Sequence, residues 1–219
     1  MISLRTDPRI NGLLEVGAAA AYYWDIKQIA HVISLLDPAG FRAFLAFVLS
    51  LPPVGGKPGF TASNGIDLFT GTLFGAWYAF NSQAIFTSLH VYLAATGDRS
   101  FAQEVYNGKS VVEWMTVLSL HWKVFALTTA RQPEPFLADY GGFAGDFLEC
   151  VPTYVNAVPA LQAGNAWMMR RAAELQESRH ALSGRGRDNL GADRMRWTAA
   201  SIVNATVRRL WVPGGDGVW

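Results

Sequence analysis

The sequence predicts an all-α protein, a layered or toroidal array of helical hairpins. Apolar residues recur at helical spacing in long runs bounded by glycine and proline. No segment shows the period-two alternation with tight turns that a β protein needs. Helix pairs alternate with short and long connections, which suits stacked hairpins.

From the N-terminus, Ile10 to Ala21 is Ala/Leu-rich and reads as a helix, with Gly12 and Gly17 its only breakers. Ile26, Ile29, Ile33 and Leu36 then recur at helical spacing. Asp37-Pro38 is a start signal, because Asp caps free N–H groups and Pro suits the first helical position. The helix it opens, Ala39 to Leu51, ends at Pro52-Pro53. Residues 52–66 form a loop of a length that compact domains usually reserve for function. A long helix is expected from about Gly71 to Ala95, stopped by Thr96-Gly97. Asp98 or Ser100 can cap a short helix through Tyr106, and Lys109-Ser110 opens another to about Thr129. A second long loop, Arg131 to Pro152, precedes a helix from Thr153 to Ser178 that Pro159 should kink. Gly191 to Leu210 gives the last helix, for roughly seven in all.

Composition narrows the function classes. Apolar residues make up 51% of the 219, so a large core can be buried. Charged residues are only 16%, against roughly 25% in ordinary soluble proteins. The net charge of +1 and the lack of a basic stripe argue against a nucleic-acid partner. The basic cluster Arg179 to Arg196 reads as a solvated loop. The lone Cys150 excludes an intrachain disulfide and a paired-Cys zinc site. His31, His90, His121 and His180 lack metal-ligand spacing, and no phosphate loop, nucleophile elbow or dinucleotide fingerprint occurs. No cofactor and no metal are therefore expected. Residues 1–11 carry Arg5, Asp7 and Arg9 without an apolar core, so no signal peptide is read there and a cytoplasmic location is expected. The uncharged stretch Leu68 to Thr96 raises a membrane reading, but Asn81-Ser82-Gln83 would sit at the bilayer centre at high cost. A helix buried in a helical domain accounts better for that stretch.

Three segments can carry chemistry. Tyr22-Tyr23-Trp24-Asp25 sets a carboxyl beside aromatic faces of the kind that stack on pyranose rings, and such a niche keeps an acid protonated. The alternative is that Tyr22 and Trp24 are core and Asp25 caps a helix beginning at Ile26. The second segment, Leu137 to Tyr154, holds Asp139, Asp146 and Glu149 among Tyr140, Phe143, Phe147 and Tyr154, with glycines that let the backbone approach a ligand. Its carboxylates can equally be caps or solvated loop charges. The third is Trp77-Tyr78-Ala-Phe80-Asn81-Ser-Gln83, whose amides could meet sugar hydroxyls or bridge helices.

At these residues a family resemblance appears. Trp24-Asp25-Ile-Lys27-Gln28 followed by Leu35-Leu36-Asp37-Pro38 resembles the segment that carries the catalytic acid in glycoside hydrolase family 63 and its bacterial mannosylglycerate and glucosylglycerate hydrolase relatives. Phe74 to Tyr78, Tyr92 to Phe101 and Tyr140 to Tyr154 are similar to the same clan of six-hairpin (α/α)6 glycosidases. The resemblance implies an (α/α)6 toroid forming one catalytic domain over residues 1–219. It also implies inverting hydrolysis of an α-glucoside or α-mannoside, with Asp25 as general acid. Tyr23, Trp24, Lys27, Gln28, Trp77, Asn81, Gln83, Tyr140, Glu149 and Tyr154 would then line the carbohydrate site. The family's base, a Glu in a Trp-Glu segment, has no counterpart here, and Glu149 does not match it. A complete toroid needs about twelve helices, so a chain cut at its C-terminus, and at its N-terminus as well, is expected to be inactive alone. The competing expectation is a non-catalytic helical module that binds carbohydrate or a partner.

Overall fold

The computed structural model describes residues 20–54, 59–67, 70–75, 77–127, 136–140, 157–183 and 190–210. Helix dominates these residues, as the sequence predicts. The chain divides into two compact units, Met1–Leu118 and Ser119–Trp219.

In the first unit, a short strand leads directly into a helix. β1 (Ala20–Tyr22) pairs antiparallel with β2 (Gly65–Asp67), setting Tyr22 opposite Gly65. β2 pairs in turn with β3 (Leu73–Phe74). The expected helix over Ile10–Ala21 therefore fails at Ala20-Ala21, which are extended; the rest of that segment lies outside the described residues. These strands are too short for alternation to show in sequence. The long loop supplies β2 and a 3-10 turn at Gly59–Ala62.

α1 (Tyr23–Leu36) buries Tyr23, Ile26, Ala30 and Ser34, one face at helical spacing. At Asp37 the predicted start signal operates. Its carboxylate accepts from the Gly40 N–H at 2.9 Å, and Pro38 opens α2 (Pro38–Ser50). α2 buries Phe41, Phe44, Leu45 and Val48, each side chain contributing about 1.5–3 kcal/mol on transfer from water.

The uncharged stretch turns helical only at α3 (Phe80–Thr96), later than Gly71, because β3 and a Gly75 at φ 70 occupy the expected start. α3 is 17 residues and buried on most sides. Among the described residues no helix is long and apolar enough to cross a membrane. Gly97 ends α3 in the left-handed region (φ 64), with its N–H on Leu93 O at 3.0 Å.

Asp98 then binds several elements at once. Its carboxylate accepts from Phe101 N (2.9 Å), which caps α4 (Arg99–Gln103), and from Ser100 Oγ (2.6 Å), Tyr92 OH (2.9 Å) and Arg42 Nε (3.1 Å). Arg42 also pairs with Glu104, so α2, α3 and α4 share one charged junction. Edge-on aromatic contacts from Phe41 to Tyr92 and from Tyr92 to Phe101 lie beneath it. α4 stops at Gln103 rather than Tyr106, and Lys109-Ser110 is strand rather than helix. β4 (Val105–Tyr106) and β5 (Lys109–Ser110) form a hairpin across Asn107-Gly108, both at positive φ. Asn-Gly suits such a two-residue hairpin turn, because both residues tolerate positive φ. α5 (Val111–Leu120) follows, opened by a reciprocal Ser110–Glu113 capping box.

In the second unit, α6 (Lys123–Leu127) is short. α7 (Pro159–Ser183) begins at Pro159 rather than being kinked by it, since proline fits the first helical position and Val158 is already outside the helix. α8 (Leu190–Leu210) buries Ala192, Met195, Ala199, Ile202 and Ala205, a narrow small-residue stripe that allows close packing on α7. Arg196 pairs with Glu177 across the two helices.

Two outcomes follow for the Asp98 junction. Asp98→Ala should cost about 1–2 kcal/mol in urea unfolding through loss of the cap. The Ser100 hydroxyl, the Phe101 N–H, Tyr92 and Arg42 together hold Asp98 down at about 2. A depressed folded value stabilises above the unfolded pKa and is lost as pH falls. The Asp98 contribution should therefore disappear between about pH 4 and pH 2, and wild type and Asp98→Asn should converge in stability there.

Candidate active site

The candidate acid is carried by the first turn of α1. Tyr22 is the N-cap, with extended backbone (φ −75, ψ 138) and no side-chain cap. Asp25 thus lies inside the first turn and is not itself the N-cap, which removes one alternative for it. Negative charge there favours the helix through its dipole. Tyr22 and Trp24 meet edge to face, ring centroids 5.9 Å apart, and both are half-buried. Asp25 is half-exposed beside them.

The beginning of α3 comes to the same place. Lys27 Nζ lies 4.5 Å from the centroid of the Phe80 ring. Its half-buried ammonium is partly desolvated, which pushes its pKa down. Trp77 and Tyr78, just before α3, are half-buried. Gln28 is exposed on the next turn of α1. So Trp24, Asp25, Lys27, Gln28 and the Phe80 end of α3 belong to one end of the first unit.

Other expected sugar contacts have internal partners instead. Tyr23 is 2% exposed and its hydroxyl meets Ser63 Oγ at 3.2 Å; burial pushes its pKa well up. Asn81 is 0% exposed and donates from Nδ2 to Ser63 O (3.3 Å) and Asn64 Oδ1 (3.2 Å). Gln83 is also buried. These side chains face the interior because α3 is buried on most sides. Tyr23, Ile26, Phe44, Leu45, Val48, Ile85 and Ser88 enclose a small apolar cavity of about 10 Å³, far too small for a sugar ring.

Tyr140 belongs to the second unit. It is buried, packs on Phe125 with centroids 4.8 Å apart, and accepts from Asn165 Nδ2 at 2.9 Å. Beside it, Gln162 bonds both the N–H (3.1 Å) and the C=O (2.8 Å) of Ala138, fastening the 137–140 segment to α7. Tyr140 is a clamp in its own unit. Glu149 and Tyr154 lie outside the described residues. Among the described residues no group of three or more His, Cys, Asp or Glu could hold a metal ion.

Sequence reasoning missed Ser63 and Asn64, and included Phe80 only as part of the Trp77 to Gln83 segment. The loop holding the first two was marked as functional by its length, but Ser-Asn-Gly reads as an ordinary turn, and only the fold shows its amide and hydroxyl turned inward. Comparison with known protein families found no family model that matches the chain, and comparison with characterised proteins found no match.

Tyr140→Phe would leave the buried Asn165 amide with a donor to satisfy, and should cost about 1–3 kcal/mol in urea unfolding. Selective ¹³C labelling of the lysines should show Lys27 titrating below the ordinary value of 10.5.

Proposed function

We propose that the protein is an inverting glycoside hydrolase acting on an α-glucoside or α-mannoside, with Asp25 as general acid. The observation that carries this reading is the half-exposed Asp25 in the first turn of α1, directly after the Tyr22–Trp24 aromatic pair. Aromatic faces stack on the apolar faces of pyranose rings, and a carboxyl beside them reaches the glycosidic oxygen. Asp25 then gives its proton to the leaving oxygen while a second carboxylate directs water to the opposite ring face. Lys27 and Gln28 supply donors for hydroxyls around the cleaved bond. The second carboxylate has no counterpart in the sequence of this chain, since no Trp-Glu segment of the kind that carries the family's base occurs and Glu149 does not lie in one. The (α/α)6 toroid is the architecture this reading carries, and the cytoplasm the compartment.

The competing reading is sugar binding without turnover, since the half-exposed Tyr22–Trp24 pair is by itself enough for stacking. Hydrolysis of a panel of α-glucosides and α-mannosides, with the anomer of the product followed by NMR, separates the two. Asp25→Asn should lower kcat by about 10²- to 10⁴-fold, because an amide cannot donate that proton. Normal turnover by Asp25→Asn would overturn the assignment. Trp24 fluorescence quenched by a sugar that is never cleaved would favour the binding module.

A further inference from the structure

We propose that Asn81 is a positioning residue for Asp25, acting through the buried Ser63–Asn64 segment; the part concerning Asp25 as an acid rests on the glycosidase reading. Three chain segments meet at this point. Asn81 stands in the first turn of α3, fully buried. Its two donated hydrogen bonds go to consecutive residues of one turn, Ser63 O and Asn64 Oδ1. Both residues in turn hold Tyr23. The Asn64 carbonyl accepts from Tyr23 N at 3.2 Å, and Ser63 Oγ meets the Tyr23 hydroxyl. Tyr23 is the first residue of α1, and Asp25 is two residues on.

The segment has little room to shift. Gly75, at φ 70, passes so close that a Cβ there would lie 3.1 Å from Asn64 Cβ. Next to it Gly65 is fixed in register between Tyr22 and Phe74. Among the described residues Asn81 Oδ1 has no hydrogen-bond partner, so the amide is held there by its donors alone. A fully buried amide whose donated bonds both go to the protein cannot reach a sugar. It has a direct route to the start of the acid-bearing helix.

Asn81→Asp keeps the size of the side chain but removes both donors and sets an acceptor against two acceptors. Amide exchange at Tyr23 and Ile26 should quicken by about tenfold or more, while exchange within α7 and α8 stays unchanged. With a cleavable α-glycoside, kcat should fall by ~10- to 100-fold with KM unaltered, since the acid is displaced and not the sugar contacts. Asn64→Ala, which takes away the Asn64 acceptor of Asn81 but leaves the Ser63 carbonyl, should give the same pattern in weaker form, and carries the test if Asn81→Asp does not fold. Unchanged exchange at Tyr23 and Ile26 in both variants would overturn the proposal. So would a raised KM at constant kcat, which returns Asn81 to direct sugar contact. If wild type cleaves no glycoside, as expected of a chain without the base segment, the exchange measurement alone decides whether Asn81 holds the start of α1.

Discussion

The Asn81 amide, donating to Ser63 and Asn64, is the constraint on which the junction of α1, α3 and the 63–64 turn depends. A buried amide donor left unmatched costs far more than the bond itself returns. The turn at residues 63–64 therefore follows the start of α3, and the start of α1 follows that turn through Tyr23. Polar groups deep in an apolar unit would be a liability if loosely arranged. Here they tie three segments that have no helical register in common.

A different kind of junction organises the far end of α3. At Asp98 one carboxylate serves as helix cap, hydroxyl acceptor and ion-pair partner, and it sits on a layer of edge-packed aromatics. Arg42 and its two carboxylates remain partly in water, so their attraction is screened and their main contribution is direction. The apolar faces of α2 and α3 provide most of the stabilisation, and the junction determines where α3 stops and α4 starts.

The second unit uses amides in the same manner on a smaller scale. Gln162 and Asn165, one turn apart on α7, grip Ala138 and Tyr140. This is why an aromatic that reads as a sugar platform is instead a fastening. Tyr23, Asn81 and Tyr140 share one lesson. A polar or aromatic side chain has the same sequence signature whether its polar atom meets a ligand or a neighbouring segment.

Local chemistry was legible in the sequence. The cap at Asp37-Pro38, the stop at Gly97, the cap at Asp98 and the extent of α8 depend on backbone groups within a few residues of each other, so neighbouring residues suffice to specify them. The helical class was legible too, because it needs only the apolar period. The short strands, the late start of α3 and the beginning of α7 at Pro159 were decided elsewhere. β1, β2 and β3 exist through partners tens of residues apart, and two or three residues leave no pattern to read. Of the site, the sequence by itself determined that a carboxylate follows an aromatic tract into a helix. Only the tertiary structure decided which of its companions stay half-exposed and which turn inward, because burial is a property of what packs against a residue and not of the residue.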